Sequence, residues 1–309
     1  MKSLLPSQRL LTSIHATVFD WFTHNQKKLP WRSESPDPYI VLLSEVMLQQ
    51  TQTSRIAEKL PVFLQQFPTL ESLANATNKE IILAWQGMGY NNRALRLRDC
   101  AKAIVEHHDG IIPDTIDVLK TLPGIGLYTA SAITCFAYHK NVPIVDVNIA
   151  RIFSRLLRKV RNNHEVFAEK QSWEIALYFL PAQKSSQWHQ ALMDIGSLYC
   201  SASSPNCRDC PLSHHCKSAF SVIDVKKVKK NEPIYSSVPR RIWRGKIIEI
   251  LRQSAQHSVT SDYLLLSLFG NNYSKPDEQF LHDILTTLAS QELIDYQRTD
   301  KELYISLKE

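Results

Sequence analysis

Two carboxylic acids, a tight glycine turn and four clustered cysteines carry the chemistry this sequence offers. Glu45 lies in DPYIVLLSEVMLQQ, surrounded by Ile40, Val41, Leu42, Leu43, Val46, Met47 and Leu48. A helix that is apolar nearly all round is a buried helix, and burial favours the protonated form of a carboxyl group. The same segment also reads as a surface glutamate on a narrow polar stripe with Ser44 and Gln49. Asp146, in NVPIVDVNIARIFSRL, stands just before an amphipathic helix, where aspartate is a favoured N-cap. The helix dipole and the free N–H groups there are expected to keep it ionised. One neutral acid and one carboxylate form the pair that cleaves a glycosidic bond through an oxocarbenium-like sugar. If the target is a base in a duplex, it must first leave the stack.

The turn is LPGIGLYTASA, residues 122–132, with helical spacing on both sides. Pro123 is expected to end the first helix. Gly124 and Gly126 allow positive φ and a bare backbone, and N–H groups at the start of the next helix can converge on an oxyanion. Ala130, Ser131 and Ala132 let the helices approach closely. The pattern reads as a helix–hairpin–helix, and together with the downstream NVPIVDVNIARIFSRL it is expected to bind phosphate; a GxG alone would indicate no more than a tight helix connection.

Cys200, Cys207, Cys210 and Cys216 follow the spacing C-x6-C-x2-C-x5-C in CSASSPNCRDCPLSHHC. Zinc sites usually use two close pairs, and here there is one. A cubane iron–sulfur cluster accepts the looser loop. His214 and His215 are expected to be loop residues, because four thiolates already complete a site. Cys100 and Cys135 lie alone among apolar neighbours and read as buried small hydrophobes.

The elements that must position these groups are mostly helices. The chain has 309 residues, 44% of them hydrophobic, and only 8 glycines, which argues against a glycine-rich sheet protein. Residues 1–222 read as one all-helical catalytic unit. A basic linker, 223–240, follows; from Asp224 to Lys246 there are eight basic residues and two acids, fitting either a solvated linker or a DNA-backbone contact. Residues 241–309 read as three helices and then two short strands, a winged-helix-like α+β module. Its third helical stretch is acidic, with five acids and no Lys or Arg from Pro276 to Gln297, whereas its first carries Arg241, Arg244, Lys246 and Arg252. The module therefore meets DNA by its first helix or binds another partner. The net charge of +6 suits a polyanion. The N-terminus lacks a signal-peptide layout and no apolar run reaches spanning length, so no membrane association is expected. A reducing cytosolic or nuclear setting is expected to keep free cysteines reduced.

Taken together, LPWR (29–32), DPYIVLLSEVMLQQTQ (37–52), FPTLESLA (67–74), WQGMGY (85–90), LPGIGLYTASAI (122–133), VDVN (145–148) and the cysteine loop (200–216) resemble the MutY-type A/G-mismatch adenine DNA glycosylases of the endonuclease III superfamily. The resemblance covers about the first 220 residues. It implies a mainly α, two-lobed helix–hairpin–helix glycosylase fold, a six-helix barrel plus an iron–sulfur helical lobe, with DNA in the cleft and a [4Fe–4S] cluster on the four cysteines. It implies that Glu45 protonates adenine at N7, that Asp146 stabilises the sugar cation and that Asn148 orients Asp146. Gln50 and Tyr90 would enter the duplex as adenine leaves, Gly124 and Gly126 would hold the backbone, and Trp31, Arg32 and Gln190 would line the base pocket. Where bifunctional relatives carry a lysine nucleophile this chain has Tyr128, which implies a monofunctional enzyme. Three departures stand out. Val147 replaces the usual glycine, Asn91 stands where a second tyrosine is common, and residues 241–309 do not resemble the nucleotide-hydrolase-related domain that reads 8-oxoguanine in relatives.

The expected activity is removal of adenine mispaired with 8-oxoguanine or guanine. The alternatives are a mismatch thymine or uracil glycosylase, or a catalytically silent DNA-structure binder. The expected partner is double-stranded DNA bound by a monomer, in a nucleoid or a nucleus; the C-terminal module's partner is not legible.

Overall fold

The computed structural model describes residues 4–225, 233–299 and 302–309. Lys226, Lys227, Lys229 and Lys230, half of the basic residues counted in and beside the linker, lie outside them. The fold is mainly helical, with a small C-terminal sheet module, and divides into two compact units. Among the described residues no helix is long and apolar enough to cross a membrane.

The first unit comprises, in its described part, 4–45, 113–121 and 125–225. It contains α1 (Gln8–Asn25), most of α2 (Pro38–Leu48), α7 (Ile116–Leu119), α8 (Leu127–Phe136), α9 (Val147–Leu157), α10 (Glu169–Tyr178) and α11 (Ser185–Leu198). The 3.6-residue apolar period of α1 buries Leu11, Ile14, Val18 and Phe22 against Ile152 and Phe153 of α9 and Trp188, Leu192 and Ile195 of α11. Cys200, Cys210 and Cys216 pack on the edge of this core.

The second unit comprises 46–112, 122–124 and the described residues from 233 onward. Its first part is α3 (Thr53–Gln66), α4 (Leu70–Ala74), α5 (Asn78–Ala84) and α6 (Asn92–His107). Thr69 with Ser72 and Thr77 with Glu80 make reciprocal capping boxes that start α4 and α5. The C-terminal part is a hairpin, β1 (Ile234–Tyr235) and β2 (Val238–Pro239), then α12 (Arg240–Gln253), β3 (Ser258–Thr260), α13 (Ser261–Phe269), α14 (Lys275–Ser290), β4 (Ile294–Arg298) and β5 (Leu303–Leu307). The three helices and two last strands match the sequence expectation; β3 and the hairpin were not foreseen, because strands of two or three residues leave no periodicity to read. The sheet order is β3-β5-β4, antiparallel throughout.

The C-terminal module is bonded to α5 and the loop after it. Arg252 gives Nε and Nη2 to the Ile82 carbonyl and Nη2 to Asn91 Oδ1, Asn78 Nδ2 donates to the Glu292 carbonyl, and Gln86 Nε2 donates to Glu249. Asn91, one of the departures from the family pattern, is thus a docking residue for this module. Arg252, grouped in sequence with the basic face of α12, turns inward to these acceptors.

Candidate active site

The Glu45 carboxyl is made by an apolar helix. Asp37 Oδ1 accepts from the Tyr39 N–H at 2.8 Å and Pro38 opens α2, whose Val41, Leu42, Leu43, Val46 and Met47 are buried. Glu45 shares that burial at 4% exposure, which decides against the surface-stripe reading. Tyr128, in the first turn of α8, donates its hydroxyl to Glu45 Oε2 at 2.9 Å. Burial pushes the Glu45 carboxyl from 4.5 up to about 7. The Tyr128 hydroxyl opposes that rise, Asp146 adds to it and Arg32 opposes it.

Asp146 caps α9. Its Oδ1 accepts from the Ile149 N–H at 2.7 Å and its Oδ2 from Asn148 Nδ2 at 2.9 Å. Burial pushes this carboxyl above its ordinary value, opposed by Ile149, Asn148 and Arg151. The helix N-terminus, expected to favour the ionised form, does lower the value through the Ile149 N–H, and desolvation raises it by more. Val147 occupies the first helical position without positive φ, its side chain 76% exposed, so replacing the usual glycine imposes no backbone strain.

Asn148 is held in turn by a residue that the motifs did not single out. Arg151, one turn further along α9, gives Nη2 to Asn148 Oδ1 at 2.6 Å and to the Gly196 carbonyl at 3.1 Å, and Nε to the Cys200 carbonyl at 2.6 Å. Gly196 matters for its missing side chain: a Cβ there would lie 2.6 Å from Asn148 Cβ. The i, i+3 spacing of Asn148 and Arg151 was the available signal; nothing local marked Gly196.

Arg32 makes a two-pronged pair with the buried Asp194, 2.7 and 3.1 Å. Trp31 is half-buried, as is Gln190, which donates to Ser186 at 3.4 Å. The four cysteines line one recess together with Ile152, Arg155 and Leu156. The buried Arg155 gives Nη1 to Cys200 Sγ at 3.3 Å and holds the Ser201 and Ala202 carbonyls, so a cation faces the sulfur set. Among the described residues no three His, Cys, Asp or Glu side chains converge on a single ion position. His215 is not merely a loop residue, since its Nε2 meets Thr17 Oγ1 at 3.3 Å.

The turn itself differs in detail from expectation. The first hairpin helix ends at Leu119, four residues before Pro123, so proline is not its terminator. Gly124 takes φ +76°, where only glycine is at ease, but Gly126 takes φ −92° and caps α8 from an extended conformation. A Cβ on Gly126 would meet nothing, which leaves its backbone open to approach.

In the second unit, Gln50 (φ +60°) and Tyr90 (φ +46°) both adopt the left-handed conformation that non-glycine residues rarely take, and both are exposed. Buried Arg93 enforces this. It donates to the Val46 and Met47 carbonyls at the end of α2, and to Thr51 Oγ1 and the Met88 and Gly89 carbonyls. One guanidinium thereby ties the Gln50 and Tyr90 loops together, a role invisible in the motif WQGMGYNNR.

The sequence profile of the HhH-GPD superfamily base excision DNA repair proteins matches residues 43–176, and the arrangement is that of a helix–hairpin–helix glycosylase. The adenine DNA glycosylase of Mycolicibacterium smegmatis is 36% identical over 238 residues, 77% of this chain and 80% of that protein. The human adenine DNA glycosylase is 32% identical over 216 residues, 67% of this chain and 40% of that protein. Among solved structures, a thermostable thymine-DNA glycosylase superposes with a TM-score of 0.61 at 25% identity, covering 67% of this chain and 95% of its own. An endonuclease III–DNA complex shares the fold, with a TM-score of 0.60 at 20% identity, covering 70% of this chain and 97% of its own. The chain belongs to the MutY-type adenine DNA glycosylases of the HhH-GPD superfamily, whose reaction is hydrolysis of an N-glycosidic bond.

Proposed function

We propose that the protein excises adenine mispaired with 8-oxoguanine or guanine from duplex DNA and leaves an abasic site. The observation that carries this reading is the unequal pair of acids: Glu45 is buried, with its carboxyl raised to about 7, while Asp146 accepts hydrogen bonds from Ile149 and Asn148. Glu45 gives its proton to adenine N7 as the C1′–N9 bond breaks and its electron pair leaves with the base. Asp146 steadies the cation at C1′. Water then adds to C1′, and its proton returns to the Glu45 carboxylate. Asn148 fixes the direction of Asp146. Gln50 and Tyr90 fill the vacated stack, Gly124 and Gly126 take the backbone, and Trp31, Arg32 and Gln190 border the extruded base. Tyr128 is a phenol whose proton burial holds well above its usual range, so it supplies no Schiff-base amine and strand cleavage is not expected.

Cys200, Cys207, Cys210 and Cys216 would hold a [4Fe–4S] cluster. Four thiols on one recess, with a buried guanidinium facing Cys200, make a donor set that suits it. The cluster would order the loop at the end of α11. Iron and sulfide analysis of the purified protein is expected to give four of each, with loss on Cys207→Ser.

The test of the activity is a panel of duplexes carrying A opposite 8-oxoguanine, A opposite G, and T or U opposite G, assayed in single turnover with and without alkali. Adenine release from the first two, with strand breaks appearing only after alkali, is the expected result. Release of T or U with adenine untouched overturns it, and so does borohydride trapping of the wild-type protein on DNA.

A further inference from the structure

The second unit contains a cavity of about 790 Å³ walled on one side by the Gln50 and Tyr90 loops and on another by α12. That volume lies within the usual range of ligand sites, about 300–1,000 Å³. Its lining includes six arginines and one carboxylate, Glu249. Glu249 already accepts from Gln86, Arg252 and Gln253. Arg93 and Arg252 are committed to backbone carbonyls, as described above. The remaining four, Arg55 and Arg96 from the helical part and Arg241 and Arg244 from the C-terminal module, set positive charge on both walls.

Arg55 gives Nη1 to the Gly87 carbonyl and Arg244 gives Nη2 to Gln291 Oε1. A guanidinium carries five donors, so both retain capacity for an anion. Burial and neighbouring Arg240 push Arg244 below its ordinary value, the direction an anion would reverse. Apolar side chains, Ile242, Leu288 and Leu293, complete the lining and suit a sugar or base rather than a bare ion. Tyr90, 55% exposed, offers a ring face at the rim. Gln50 and Tyr90, two of this unit's residues with positive φ, both belong to the cavity, and strain of that kind is tolerated where a ligand is gripped.

We propose that this cavity binds a phosphate-flanked nucleotide of the DNA strand opposite the excised adenine, with Arg55, Arg96, Arg241 and Arg244 on its phosphates. The choice of strand rests on the function proposed above. Side chains that fill the place of an extruded base meet the partner that base has left. Groups sharing a cavity with Gln50 and Tyr90 therefore run along the partner's strand. The C-terminal module then contributes to DNA recognition through α12, whereas its acidic α14 would repel phosphate. A guanidinium pairs with phosphate through two parallel hydrogen bonds, and each such contact displaces counterions from the duplex.

The test uses the full chain and a duplex with a 2′-fluoro-adenosine analogue opposite guanine, so that binding is read without base release. Arg55→Glu and Arg241→Glu reverse exposed charges on two different elements; Arg298→Glu, on β4, is the matched control outside the cavity. Dissociation constants are measured by anisotropy across a salt series. Each cavity variant is expected to bind at least tenfold more weakly and to lose about 0.9 from the slope of log K against log salt, one phosphate's worth. The control should change binding by less than about twofold. Arg55→Gln and Arg241→Gln should show smaller changes in the same direction, and melting curves of every variant check the fold. Unchanged slopes, or an equal effect of Arg298→Glu, overturn the proposal. A photoreactive benzoylphenylalanine replacing Ile242 should crosslink to the strand opposite the analogue; crosslinking to the analogue's own strand, or none, overturns it too. If adenine is released at normal rates while these readouts fail, the site falls and the glycosylase stands. If the readouts hold while no adenine is released, the reverse is true.

Discussion

Tyr128→Phe should move the high-pH limit of base release upward, because the phenol opposes the hold on the Glu45 proton that burial creates. A carboxyl group at its ordinary value of 4.5 would be protonated to about 0.3% at pH 7, whereas one at about 7 is half protonated, a gain of roughly 150-fold in the acid form. The Tyr128 O–H donates to Glu45 Oε2 at 2.9 Å and favours the ionised carboxylate, so it works against that gain. A hydrogen bond to a charged group contributes about 1.5–3 kcal/mol, and 1.36 kcal/mol corresponds to about one pKa unit. Its removal should therefore raise the alkaline limb by about one to two units. The measurement is single-turnover adenine release at saturating enzyme from about pH 5 to about pH 9, each profile normalised to its own maximum. Tyr128→Phe should keep a larger share of its maximum at pH 8 than the wild type does, even if that maximum is lower. A limb that stays in place or moves down would show that Glu45 is not the acid, or that the phenol is not its donor.

Glu45→Gln should abolish base release and yet stabilise the protein at alkaline pH. The folded-state value lies above the unfolded one, so the folded protein binds this proton more tightly, and wild-type stability falls as pH rises from about 4.5 to about 7. The loss is on the order of 3 kcal/mol, and the amide avoids it while still accepting from Tyr128. Unfolding followed at pH 5 and pH 8 checks this, and parallel pH dependences would refute it. Gly196→Ala should push Asn148 off Asp146, because the new Cβ would sit 2.6 Å from Asn148 Cβ. We expect a drop of about tenfold to a hundredfold in the single-turnover rate and a stability loss of about 1–3 kcal/mol. DNA affinity should stay within about twofold, and an unchanged rate would remove Gly196 from the site.

What the sequence determined by itself was local. Asp37–Pro38 announces the start of α2, the aspartate before VNIARIF announces a cap, and the apolar period of residues 38–48 announces a buried helix around Glu45. Each of these signals lies within a single helix and its cap, eleven residues or fewer. The cysteine spacing is of the same kind, since seventeen residues can fold back on themselves without the rest of the chain. The helices of the C-terminal module were legible for the same reason, and its two-residue strands were not. Tertiary structure decided everything that depends on which distant groups meet. Desolvation of Asp146 outweighed its cap, Arg93 bound α2 to the Tyr90 loop, and Arg151 joined Asn148 to the Cys200 carbonyl. Arg252 turned from a candidate DNA contact into a bond to Ile82, and four arginines from separate segments came to share one cavity. Propensity and capping act over one turn of chain, whereas the dielectric around a carboxyl group and the neighbours of a guanidinium are set by segments tens of residues to more than a hundred apart.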